Sequence, residues 1–307
     1  MNDRLTTGFF NVVGDFTVGQ RTFSDEFLLS GTTSITDNPG FNTFGEGAED
    51  LPFGGEPLPA DTALEWDWLP MKIDGVVSNL FYWDGLDSVE FGMPPAGHAM
   101  ALRDKDEVDH PVFATPDLVT GGIINETDGD GLLHEHRDWA VADLSTPNAP
   151  ADGIYFGALR NRMHNLDNSK PFFVLFSTNG TPAALLADAQ AWADTVVDDL
   201  TVDFSADFNG DLTVDAADLA ILETGFGTVG GAALQQAGDA TWDDEISVKD
   251  FLELQRQFGS DIAGTVGASS PPPAAAISTV PEPGCGVLIA LATGLWGARR
   301  PGRSPRA

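Results

Sequence analysis

The chain has almost no cysteine. Cys285 stands alone near the C-terminus of 307 residues, so no intrachain disulfide can form and the fold must rest on its core. Basic residues are also scarce, with 15 Lys and Arg against 47 Asp and Glu, for a formal charge of −32. The four arginines beyond Thr279 leave the rest of the chain with 11 basic and 46 acidic side chains. A surface of that sign repels phosphate backbones and anionic lipid, which excludes nucleic acid as a partner, and it suits divalent cations or a saline exterior. There is no Gly-x-Ser-x-Gly elbow, no His-Glu-x-x-His and no phosphate-binding glycine loop between a strand and a helix. The N-terminus lacks the basic region, long apolar run and cleavage site of an export signal, since Met1-Asn2-Asp3-Arg4 leads directly into Gly8-Phe9-Phe10.

What is present is strand-like. The chain has 42% hydrophobic residues with 34 Gly and 20 Pro, which suits a packed, loop-rich β-fold. Period-two alternation in Leu64-Glu65-Trp66-Asp67-Trp68 puts Leu and Trp on one side and the acids on the other. The apolar runs 155–159 and 172–176 suit buried sandwich strands. Further strands are expected over 8–18, 22–29, 79–83, 88–92, 98–103 and 132–142. Strands without intervening helices argue for an antiparallel β-sandwich or jelly roll over residues 1–200. A terminal helix starts at Thr181-Pro182, Thr as cap, with Leu185, Ala189, Trp192 and Val196 on one stripe.

Two acidic loops of one design follow, in residues 201–260. Asp207, Asn209, Asp211, Asp215 and Asp218 put side-chain oxygens at positions 1, 3, 5, 9 and 12. Asp239, Thr241, Asp243, Ser247 and Asp250 do the same in the second loop. Calcium takes six to eight oxygens at about 2.3–2.6 Å, and a 12-residue loop supplies them at this spacing. Each loop runs into an apolar helix ending in Phe-Gly, at Phe226-Gly227 and Phe258-Gly259.

The pair resembles a dockerin type I domain, a small α-helical module with two Ca2+ sites. The resemblance implies ligation by Asp207, Asn209, Asp211, Asp218 and the Thr213 carbonyl, and by Asp239, Thr241, Asp243, Asp250 and the Glu245 carbonyl. Asp215 and Ser247 would act directly or through water. Position 6, usually Gly, is Leu212 and Asp244 here. Cohesin-docking dockerins carry Ser-Thr at positions 10 and 11, where this chain has Ala216-Ala217 and Val248-Lys249, so a cohesin partner is not implied.

Residues 261–279 are a linker rich in Pro, Ala and Ser, unable to bury a core. The tail, 280–307, has three parts in order: Val280-Pro281-Glu282-Pro283, a weakly apolar run over 284–298, and Arg299-Arg300. As a helix the run would be about 22 Å long, short of the roughly 30 Å hydrocarbon core. This order resembles a PEP-CTERM sorting signal. The resemblance implies recognition by an exosortase-type enzyme, transient anchoring in the membrane, removal of the tail and delivery to the cell surface or matrix. Together the two resemblances are similar to planctomycete-type exported surface proteins.

In the large domain, His134 and His136 lie two apart, so on a strand both imidazoles would face one way and could share a zinc ion. His110, His98, His164 or Asp138 would supply a third ligand. The acidic stretch from Asn125 to Asp130 offers oxygens for a further calcium but lacks the remaining ligand positions, so it reads as a polar turn. Trp66, Trp68, Trp83 and Trp139 either fill the core or stack sugars. The expected function is therefore a non-catalytic structural, adhesive or metal-binding surface protein, with surface polysaccharide or other surface proteins as partners. The alternative is a secreted carbohydrate-active protein, either a glycan-binding module or a glycoside hydrolase.

Overall fold

The structure, a computed structural model, describes residues 5–10, 16–43, 57–116, 118–164, 166, 168–200, 205–211, 213–241, 245–260 and 287–292. It is mainly β, with several sheets and, among the described residues, three α-helices. In chain order the strands begin with β1 (Leu5–Phe10), β2 (Phe16–Val18), β3 (Thr22–Glu26), β4 (Leu28–Ser30), β5 (Thr33–Thr36) and β6 (Gly40–Asn42). Next come β7 (Ala63–Leu69), β8 (Met71–Ile73), β9 (Val76–Ser78), β10 (Leu80–Trp83), β11 (His98–Arg103) and β12 (Asp109–Val112). Then follow β13 (Val119–Glu126), β14 (His134–Glu135), β15 (Trp139–Asp143), β16 (Ile154–Met163) and β17 (Phe172–Ser177). The helices are α1 (Ala183–Leu200), α2 (Ala216–Gly225) and α3 (Val248–Gln257), and β18 (Val287–Ala292) comes last.

The central sheet runs β13-β7-β16-β17-β3, with β10 also paired to β16. Both its faces are covered. Phe172, Val174 and Phe176 enter one core together with Leu64, Trp66, Trp68 and residues of a second sheet, among them Met100, Leu102, Val112, Trp139 and Val141. That second sheet runs β12-β11-β15-β5-β4. Phe173 and Leu175 point the other way, into a core shared with Phe81, Phe156 and the helix residues Ala189 and Ala193. A strand with both sides buried must be apolar throughout, which is why 172–176 shows no alternation. Each phenylalanine so placed contributes roughly 1.5–3 kcal/mol.

The alternation in β7 has the expected outcome. Glu65 and Asp67 lie opposite the tryptophans, where Arg162 reaches Glu65 at 2.7 Å and Arg160 reaches Asp67 at 2.9 Å. Helix α1 lays its apolar stripe on the outer face of the central sheet. Trp192 packs against Phe91 with ring centroids 5.1 Å apart. The Thr181 hydroxyl is turned to the Gly153 carbonyl at 3.2 Å, tying the helix start to β16.

Several expectations are corrected. The run 22–29 is not one strand: it breaks at buried Phe27 and passes from the central sheet into the second one. Pairing is not purely antiparallel, because β3 lies parallel to β17 and β18 parallel to β6. The expected strand 88–92 reduces to a single bridge between Tyr82 and Gly92. The tail segment Val287–Ala292 is a strand between β1 and β6, not a helix. A six-residue apolar run carries no period that separates the two states, and sheet pairing takes up its backbone groups. Among the described residues, no helix is long and apolar enough to cross a membrane. The linker, Val280, Pro281, Glu282, Pro283, Arg299 and Arg300 lie outside the described residues, as do Leu212, Asp243 and Asp244.

Candidate functional site

Residues 205–260 repeat themselves after 32 positions, from Asp207 to Asp239 and onwards. The repetition extends to backbone angles. Asp215 and Ser247, which precede α2 and α3, share φ −140°, and their ψ angles are −157° and −167°. Phe226 and Phe258 close the two helices at φ −56°, ψ 128° and φ −57°, ψ 127°. Both helices start with the same reciprocal cap, in which the first side chain takes a backbone N–H and the carboxylate three residues on returns the favour.

That returning carboxylate is also the twelfth loop residue. Asp218 Oδ2 accepts from the Asp215 amide at 2.9 Å, while Oδ1 accepts from Phe208 at 2.8 Å and Asn209 at 3.2 Å. Asp250 Oδ2 accepts from the Ser247 amide at 2.8 Å and Oδ1 from Thr241 at 2.9 Å. Both carboxylates are wholly buried, as is Asp239, and Asp207 is nearly so. Burying a carboxylate is costly unless its oxygens are engaged, and amide donors supply part of that engagement. Asp207 Oδ1 gathers the Gly210 amide at 2.8 Å and the Asp211 amide at 3.1 Å, and Asp211 Oδ1 takes the Thr213 amide at 2.9 Å. The first loop thus winds around its own side-chain oxygens.

The two loops differ at position 3. Asn209 Oδ1 accepts from the Asp211 amide at 2.9 Å. Thr241 Oγ1 instead donates to Asp250 Oδ1 at 2.9 Å, so its proton serves the twelfth residue. The side-chain donors of both loops are oxygen throughout, the chemistry that a hard divalent cation requires. The buried carboxylates fit such an ion. It would be held by Asp207, Asn209, Asp211 and Asp218 in one loop and by Asp239, Thr241 and Asp250 in the other.

Two glutamines without any motif-level signal anchor the start of the first loop. Gln235 Nε2 donates to the carbonyls of Ser205 at 3.1 Å and Asp207 at 3.0 Å. Gln257 Oε1 accepts from the Ala206 amide at 3.1 Å. A glutamine in a polar stretch carries no spacing rule, so these roles were not legible beforehand.

The histidines are dispersed. His134 and His136 lie together, with ring centroids 5.3 Å apart. His136 Nδ1 is 3.1 Å from the Asp37 carbonyl and 3.7 Å from its carboxylate. His110 is engaged elsewhere, with Nε2 at 2.9 Å from Asp104 Oδ2 and its ring edge-on to Trp66. His98 Nε2 accepts from the Ala151 amide at 3.0 Å. Among the described residues, no three His, Cys, Asp or Glu side chains converge as a metal-binding group. This says nothing about calcium sites, which also draw on amide, hydroxyl and carbonyl oxygens. Asn125 and Glu126 end β13, and a polar turn follows in which Asp128 Oδ1 takes the amides of Asp130 at 2.9 Å and Leu132 at 2.8 Å.

The tryptophans expected either as core or as sugar platforms are core. Trp66, Trp68 and Trp139 are fully buried and Trp83 nearly so, which leaves none of their faces open to a sugar. Trp68 Nε1 donates to the His110 carbonyl at 3.1 Å and Trp139 Nε1 to the Pro39 carbonyl at 2.9 Å.

No family model matches the chain, and no curated protein matches it. Among solved structures, a family 123 glycoside hydrolase from Clostridium perfringens, described for glycolipid glycan hydrolysis, is similar to 52% of this chain at 14% identity. The chain spans 23% of that enzyme's chain, and the TM-score is 0.15. A likeness at that level carries no argument about fold or activity.

Proposed function

We propose that this is an exported, surface-directed protein in which a β-sandwich carries a dockerin-like module with two calcium sites. The observation that carries this reading is the repetition of cap and helix at a 32-residue offset, with buried carboxylates at loop positions 1 and 12. Calcium stabilises such a module by mass action, because the unfolded chain does not assemble the loops. The sandwich is supported by the shared core between the central and second sheets, with α1 as a third layer. The role is structural or adhesive. The order Pro-Glu-Pro, apolar run and basic cluster supports handling of the tail by an exosortase-type enzyme and delivery to the surface. Surface polysaccharide or other surface proteins are the partners in this reading.

The test is calorimetric unfolding of the full chain in millimolar calcium and in chelator. The transition of residues 205–260 should rise in calcium, by about 2.7 kcal/mol at a hundredfold excess over Kd. Identical transitions in both conditions would remove the calcium reading.

A further inference from the structure

Among the described residues, the position-8 residues of the two loops bond not to each other but to turns elsewhere in the chain. Val214, at position 8 of the first loop, donates its N–H to the Ser260 carbonyl at 3.0 Å and accepts from the Gly259 amide at 2.8 Å. Ile246, at position 8 of the second, donates to the Thr228 carbonyl at 2.9 Å and accepts from the Gly227 amide at 2.8 Å. Gly227 and Thr228 follow α2, which belongs to the first unit, and Gly259 and Ser260 follow α3, which belongs to the second. Each loop is therefore fastened by the turn that ends the other unit's helix. Val214 and Ile246 are both wholly buried, so these bonds are shielded from water. They adjoin the position-7 carbonyls of Thr213 and Glu245 and the position-9 side chains of Asp215 and Ser247, which are donors in the proposed sites.

We infer that the two sites are wired crosswise, so that the cation affinity of each loop is set by the turn after the opposite helix, and that the two ions bind with positive coupling. The inference rests on reading residues 205–260 as a calcium module. Ordering of the second loop fixes Ile246, and through it the turn at Gly227 and Thr228. Ordering of the first fixes Val214, and through it Gly259 and Ser260. Coupling between two binding events is reciprocal, so each ion must raise the affinity of the other by the same factor.

Two glycines give a clean probe. Gly227 and Gly259 adopt φ +86° and +85°, and a Cβ at either would meet nothing within 4 Å. Alanine there strains the turn without a clash, and none of the loop oxygens is touched. In the full chain, Gly227→Ala should speed amide exchange around residues 245–247 and spare residues 213–215, and Gly259→Ala should do the reverse. This is measured in chelator, so it needs no bound ion. With metal, terbium emission sensitised by Trp242, the fourth residue of the second loop, should shift its midpoint roughly fivefold to tenfold in Gly227→Ala and less in Gly259→Ala. Faster exchange confined to each variant's own loop would overturn the crosswise wiring. A wild-type chain that binds neither terbium nor calcium would remove the calcium reading, while the exchange pattern would still decide the wiring.

Discussion

The Asp218 carboxylate reaches back across its own loop to the Phe208 amide, ten residues earlier, at 2.8 Å. The bond makes one side chain both the start of a helix cap and the closure of a loop, because the other oxygen holds the Asp215 amide at 2.9 Å. Asp218→Ala removes both. Hydrogen bonds to a charged group are each worth about 1.5–3 kcal/mol, so the variant should unfold residues 205–260 at least about 2 kcal/mol earlier. Chemical denaturation with a probe in that segment should show the loss, and the transition of the β-sheets should stay in place.

Trp66 and Trp139 should respond differently to phenylalanine. Trp139→Phe strips the buried Pro39 carbonyl of its 2.9 Å donor, and an orphaned acceptor costs roughly 1–3 kcal/mol. Trp66 Nε1 is buried without a hydrogen-bond partner among the described residues and lies against Gly121, where a Cβ would come within 2.3 Å of it. Trp66→Phe removes a group that gains nothing from its surroundings, so it should be the milder change in urea unfolding.

Acid response should show at Asp143. Partial burial works against its charge, yet hydrogen bonds from the Ser145 and Thr146 hydroxyls and the Ser145 amide outweigh that and hold its carboxyl at about 2, below the ordinary 3.8. A depressed folded value means that this stabilisation is present above the ordinary value and is lost as pH falls towards about 2. Replacing Ser145 by Ala and Thr146 by Val should move the titration upward, as followed by carboxyl-carbon NMR.

Trp192→Ala should loosen α1 from the central sheet. The ring contacts Phe91 at 5.1 Å and Phe156 at 6.0 Å between centroids and is only half-buried. The cost should be about 2 kcal/mol, below the 3–5 kcal/mol of a fully buried aromatic. Thermal unfolding of the full chain checks it.

The sequence spoke most clearly where one chemistry repeats at fixed spacing. The stripe Leu185, Ala189, Trp192 and Val196 and the alternation of β7 fall into that class. The Asp74-Gly75 pair, both at positive φ, makes the tight hairpin β8–β9, and its signal was there to be read. The parallel contact of β3 with β17 was not legible, because it joins residues about 150 positions apart and leaves no local trace. The fate of the tryptophans was equally hidden. An alternating strand reads the same whether its apolar side meets a second sheet or a sugar, and only the arrival of Trp139 and Met100 from β15 and β11 decides it.

Ser205 and Gln257 touch, with Gln257 Nε2 donating to the Ser205 hydroxyl at 2.8 Å. The polypeptide thus enters and leaves the repeat at one spot, as a cord does at a knot. Tension applied across residues 205 and 257 would load that clasp before the loops it encloses. The two loops would keep their shape until the clasp gave way.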